Sequence, residues 1–239
     1  MNNIAPAQQS THGFTEAQIA AENAAFMRKV YAIMAAGLGV TGLTALVVAH
    51  SPTLSQAIIG NRAVFYTLLL AEIGMVMLFA SLANRMSALG AGALFYIYAM
   101  TNGLTLSVIF FVYTTSSIAT TFWITAGTFG GMSIYGYLTK RDLTGVGHFM
   151  IMGLWGLIIA SVVNLFMHNQ MVYWMTSFFG VFIFVGLTAY DTQKIKQLNV
   201  IGNQGTDEDH KEAIHGALVL YLDFVNLFLY LLRLLGRRR

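Results

Sequence analysis

Apolar blocks recur along this chain at about 30–49, 63–83, 89–113, 118–138, 149–167, 171–191 and 213–235, with short polar connectors between them. Each is close to the roughly 20 residues that a helix needs to cross the hydrocarbon core of a bilayer. Inside lipid, every backbone N–H and C=O must find a partner within its own segment or a closed barrel. These blocks are too long and too evenly apolar for barrel strands, so helix is what remains. Charge agrees: only 10% of the 239 residues are Asp, Glu, Lys or Arg, against about 25% in an ordinary soluble domain. The expected fold is an all-α integral membrane protein. It is one domain of seven transmembrane helices over 28–239, preceded by a polar N-terminal arm at 1–27.

That arm carries Glu16 and Glu22 and lacks a basic leading stretch, which argues against a cleaved signal peptide. With no cysteine there is no disulfide framework and no thiolate chemistry. The six histidines are scattered and form no HExxH pair. Nothing with Ser/His/Asp character stands out either, so an enzyme is not expected, nor a bound cofactor.

The basic residues lie at the ends of apolar blocks, as topology signals do, and do not form a nucleic-acid surface. Arg28, Lys29, Arg85, Lys140, Arg141, Lys194, Lys196 and Lys211 fall on one side, and Arg62 on the other. The first side is therefore the cytoplasm, and it holds the N-terminus. Seven crossings then put Arg233 and Arg237 to Arg239 outside, against the trend.

Three acids lie in or at the edge of apolar blocks: Glu72, Asp191 and Asp223. A carboxylate in hydrocarbon costs several kcal/mol, roughly, so each needs a purpose or a partner. Asp223, Asn226, Tyr230 and Arg233 recur at spacings of three and four and make one polar stripe on the last helix. Such a stripe faces the bundle interior or water, which places this helix at the centre with the others around it. Asp191 closes the sixth block, where Lys194 and Lys196 are possible partners. Glu72 lies near mid-membrane, as a functional acid or a hydrogen-bonded structural one.

Other patterns have plainer readings. Gly37-Leu38-Gly39-Val40-Thr41-Gly42 matches GxGxxG, but no strand precedes it and no ribose-binding acid follows. Small residues for close helix packing explain it, and Gly127 with Gly131 likewise. Trp123, Tyr173 and Trp174 suit interfacial anchoring.

Tyr190-Asp191 with Gln193-Lys194-Ile195-Lys196, Tyr221 to Phe228 with Leu231-Leu232-Arg233, and Lys140-Arg141-Asp142-Leu143 carry a resemblance. From about residue 28 onward the chain resembles the transmembrane Bax inhibitor motif family, in a bacterial form. The resemblance implies a seven-helix bundle around the last helix, in the bacterial inner membrane. It also implies a pH-sensitive calcium leak governed by two aspartates, which map to Asp191 and Asp223. The family's second-helix glutamate maps to Glu72. Members also carry an arginine further along that helix that latches onto the first aspartate. Eleven residues beyond Glu72 stands Ala83, whereas the base present is Arg85. On a helix Arg85 points about 140° away from Glu72.

Two carboxyls on antiparallel neighbours, close in space, cannot both ionise easily; they share a proton and titrate as one pair. Carboxylate oxygens suit calcium, and two alone hold it weakly enough to let go. Protons and calcium are thus the expected small partners. Two other readings stay open: an interaction protein that modulates a membrane protease or other complex, and a proton-coupled carrier of small solutes. The C-terminus is expected on the periplasmic side.

Overall fold

The computed structural model describes residues 13–82 and 85–239. Nine helices occur among them: α1 (Glu16–His50), α2 (Pro52–Ile58), α3 (Arg62–Leu82), α4 (Ala88–Leu106), α5 (Ile109–Val112), α6 (Thr115–Leu138), α7 (Thr144–Met167), α8 (Gln170–Leu198) and α9 (Asp207–Leu235). Helix starts follow the capping residues in the connectors. Thr15 and Gln18 form a reciprocal capping box on α1, and Ser87, Thr114, Asn169 and Thr206 cap α4, α6, α8 and α9 through their side-chain oxygens. Asp142 accepts from the Thr144 N–H at 2.8 Å as α7 begins, and the bonds from Thr144 hold this loop carboxyl below its usual pKa.

Six helical stretches are long and apolar enough to cross a membrane, so the expected seventh is not among them. The one that falls short is α6. Its 24 residues suffice in length, but Thr, Ser and Gly dilute its apolar character. The first span is also longer than its apolar block. Residues 16–27, read from sequence as part of a separate polar arm, continue in the same helix as the block at 30–49. The start of that arm, 1–12, lies outside the described residues.

α9 is the axis. It packs against α1, α4, α6 and α8, and half of its most apolar window is buried, against 6% for α7. The outer helices show the reverse pattern, with Leu70, Trp155, Phe166 and Trp174 turned outward. Apolar surface left outside is stable only where the solvent is itself apolar.

Close packing uses glycine, though only at Gly37 among the positions that the spacing suggested. Gly127 and Gly131 face open space, as do Gly39 and Gly42. The contacts belong to Gly37 beneath the Phe95 ring, Gly103 against the backbone of Thr41, and Gly136 against the backbone of Ala189. A four-residue spacing supplies a small stripe, but the azimuth of the helix decides what the stripe meets.

The loop end of α9 is fastened to α1. Lys29 Nζ donates to Asp209 Oδ2, which also accepts from the Gly205 N–H at 2.8 Å. Asp209 is only 2% exposed. Nearby, the Gly202 N–H donates to Glu22 at 2.7 Å, and Asn199 Nδ2 to Asn23 at 2.9 Å. Replacing Lys29 by Met strands a buried carboxylate. Losing one partner of a buried pair costs about 3–5 kcal/mol, and the half-open lysine reduces this to about 2 kcal/mol. The expected result is a thermal midpoint in detergent lower by roughly 4–8 °C. An unchanged midpoint would show that the pair contributes nothing.

Candidate ion site between the last two helices

α8 and α9 are joined by residues 199–206 and run back antiparallel in close contact. Their register is fixed by small-to-large fits along the seam. Gly216 lies under Ile195, Gly180 takes the Tyr230 ring, and Phe184 stacks on Tyr230 at 5.7 Å. Between those contacts the seam makes Asp191 and Asp223 direct neighbours, each close enough to act on the other.

Asp223 is 5% exposed, and its Oδ2 is buried with no hydrogen-bond partner among the described residues. Asp191 is half-buried. Neither of the lysines named from sequence as its partner makes a direct ion pair with it among the described residues. Lys194 is exposed and faces the Tyr190 ring, while Lys196 donates to the Tyr137 carbonyl at 2.9 Å. Neither acid of the pair forms an ion pair among the described residues, although the Lys194 charge is near enough to act on Asp191.

Neighbouring residues hold Asp191 in place. Gln193 grips the α6–α7 connector at both ends of its amide, donating to the Arg141 carbonyl and accepting from the Leu143 N–H, each at 2.9 Å. Gly147 on α7 accommodates the Tyr190 ring, and Gly136 on α6 accommodates the Ala189 backbone. These residues fix α8 from two sides at the level of the carboxyl.

Glu72 does not reach the aspartates. It belongs to a second polar cluster, on the opposite side of α9. Its oxygens accept from Asn102 Nδ2 at 3.1 Å and Thr105 Oγ1 at 2.7 Å. Asn102 Oδ1 accepts from the Tyr221 hydroxyl at 3.0 Å, which also meets Thr41 Oγ1 at 2.6 Å. Thr41 in turn donates to the Ala99 carbonyl at 2.8 Å. Tyr221 stands two residues before Asp223, about 200° around the helix. α9 thus carries an acid pair on one face and the hydrogen-bonded glutamate cluster on the other. The tyrosine, asparagine and threonines of this cluster were not singled out from sequence. A buried Asn102 within an apolar block was the available signal.

Arg85 stands apart. It lies in the turn after α3, exposed, with its N–H on the Leu82 carbonyl. Among the described residues it makes no ion pair, with Asp191 or any other acid. The helix ends before it, which removes the rigid support a latch would need. Of the expected polar stripe, Tyr230 and Arg233 face α8, with Arg233 over the Tyr230 and Tyr173 rings at 5.3 and 5.7 Å. Asn226 spends its amide on its own helix, donating to the Leu222 carbonyl at 2.8 Å.

A cavity of about 520 Å³ lies at the loop end of the same seam, lined by Glu208, Lys211, Glu212, His215 and Ile195. His215 stacks on Phe79, and its buried Nδ1 has no partner among the described residues. No group of three or more His, Asp or Glu able to hold a metal occurs among the described residues. A cation at the aspartate pair would have two carboxylates and whatever water came with it.

A helical membrane bundle wound about a central last helix, with paired acids on the seam between its last two helices, defines the class. Residues 23–239 match the family described as Inhibitor of apoptosis-promoting Bax1. This chain belongs to that family. It is 45% identical over 215 residues to the inner membrane protein YbhL of Escherichia coli (strain K12), covering 90% of this chain and 92% of that one. Uncharacterised proteins of Borreliella burgdorferi and Rickettsia prowazekii are 45% and 44% identical, each over 90% of this chain and 92% and 90% of theirs.

Proposed function

We propose that this protein is a pH-sensitive cation leak, with calcium as the natural cargo, gated by the proton shared between Asp191 and Asp223. The carrying observation is the meeting of those two carboxyls on the α8–α9 seam, where Asp223 is buried and no ion pair among the described residues ties either acid down, Lys194 acting on Asp191 only at a distance. A carboxyl pair kept this way can hold a proton or a divalent ion but not both comfortably, so occupancy by one biases the other. The cavity lined by Glu208, Lys211, Glu212 and His215 is taken as the cytoplasmic approach; Lys211 pairs with Glu208, which leaves Glu212 as the acid that attracts cations there.

The same reading takes α6 as a seventh crossing, the N-terminus as cytoplasmic and the C-terminus as periplasmic. It places the chain in the inner membrane, where the name of the Escherichia coli relative puts that protein. It gives the chain no catalytic step and no resident cofactor; calcium is the transported species.

Purified protein in calcium-free liposomes tests this. Calcium entry is expected to exceed that of empty vesicles, to vary across pH 6 to 8, and to show neither saturation nor counterflow. Saturation with counterflow would make the protein a carrier instead. Entry equal to that of empty vesicles would end the leak reading and favour a partner-binding role.

A further inference from the structure

The charge at the far end of α9 is unbalanced. Arg233, Arg237, Arg238 and Arg239 are all exposed there. The connectors at that end, 51–61, 107–114 and 168–169, hold no Asp or Glu, and neither does the tail. Nor do the first turns of α6 and α8, which open on the same face, contain an acid. Among the described residues every ion pair uses a lysine at the opposite end, and none uses an arginine.

The tail is nevertheless held in place. The Arg237 carbonyl accepts from the Thr114 N–H at 3.1 Å, and the Arg239 N–H donates to the Val112 carbonyl at 3.0 Å. The Arg237 N–H donates to Ser117 Oγ at 2.9 Å, and Arg238 Nη2 to the Tyr173 hydroxyl at 3.4 Å. Tyr113 and Arg238 form an antiparallel bridge. These bonds use the backbone of the tail and one side chain, so the other guanidiniums are presented outward from a fixed base. Tyr173 lies under both Arg233 and Arg238, at 5.7 and 5.9 Å from their guanidinium carbons. The exposed indole of Trp174 beside it marks the level of the membrane interface.

We infer that this arginine cluster is a binding site for the phosphodiester headgroups of anionic phospholipids in the leaflet it faces. The planar guanidinium pairs with two phosphate oxygens at once, and no acidic side chain stands against the four arginines at this end. Headgroups bound here compensate arginines that the topology trend alone would exclude from this side.

The test uses the full chain in detergent micelles, with bound lipid counted by native mass spectrometry. Phosphatidylglycerol is compared with phosphatidylcholine. Wild type should retain phosphatidylglycerol over phosphatidylcholine by roughly tenfold or more, and the triple change R237Q/R238Q/R239Q should remove most of that preference. The pair K140Q/R141Q, at the opposite end, should keep it. Equal retention of the two lipids by wild type, or an unchanged preference in the triple variant, would overturn the site. So would competition by millimolar inorganic phosphate, which would make the ligand a soluble anion. If the triple variant unfolds early in lipid-free micelles, R239Q alone carries the same test with a smaller loss.

Discussion

Asp223→Asn will flatten the pH response of calcium entry, so that rates at pH 6 and pH 8 become nearly equal. Asparagine has the shape of aspartate and no titrating proton, so the pair can no longer exchange a shared proton for an ion. The substitution fits the site: Asp223 Oδ2 is buried with no hydrogen-bond partner among the described residues, and an amide nitrogen on this side chain can donate to the Asp191 carboxylate. The bundle should therefore fold normally, which a thermal midpoint close to wild type would show. The absolute rate should fall as well. A contact with a charged group is worth about 1.5–3 kcal/mol, which is roughly tenfold or more in the occupancy of a two-carboxylate site.

Asp191→Asn should behave the same way, and the double variant no worse than either single one, because both changes remove one shared function. Additive losses would mean that the acids act separately. A wild-type pH response in Asp223→Asn would remove the pair from the gating mechanism altogether.

Much of the architecture was legible because lipid leaves the backbone so few choices. Blocks of bilayer length had to be helices, and the spacing of Asp223, Tyr230 and Arg233 turned the last helix toward its neighbours. What stayed hidden depended on azimuth and on distance along the chain. Gly127 and Gly131 have a packing spacing but face open space, while Gly136 does the packing. Lys29 meets a partner 180 residues away, and only the path of α1 past the α8–α9 loop brings the two together. Arg85 lies beyond the end of its helix, so a helical count from Glu72 did not apply to it. Six helices pass on length and hydropathy because the fourth block, 118–138, trades leucines for hydroxyls and glycines, which hydropathy penalises but a buried helix interface accepts.

Gly136→Val should be the most destabilising single change in the bundle. A Cβ at this position meets the carbonyl oxygen of Ala189 first, then its carbonyl carbon at 2.9 Å and Cα at 3.0 Å. All three are backbone atoms of α8, so no side chain can swing aside and α6 must move bodily away. Overpacking of this kind costs about 3 kcal/mol or more where the obstacle cannot yield, and a thermal midpoint lower by roughly 6–12 °C is expected. The displaced segment is the one that carries Asp191, two residues on, so calcium entry should lose its pH response even in the fraction that folds. Gly131→Val is the control. It lies on the same helix with nothing within 4 Å of its Cβ position, and should stay within about 0.5 kcal/mol of wild type. Equal midpoints for the two variants would show that the α6–α8 contact is looser than this geometry, and that Asp191 is held by the Gln193 clamp alone.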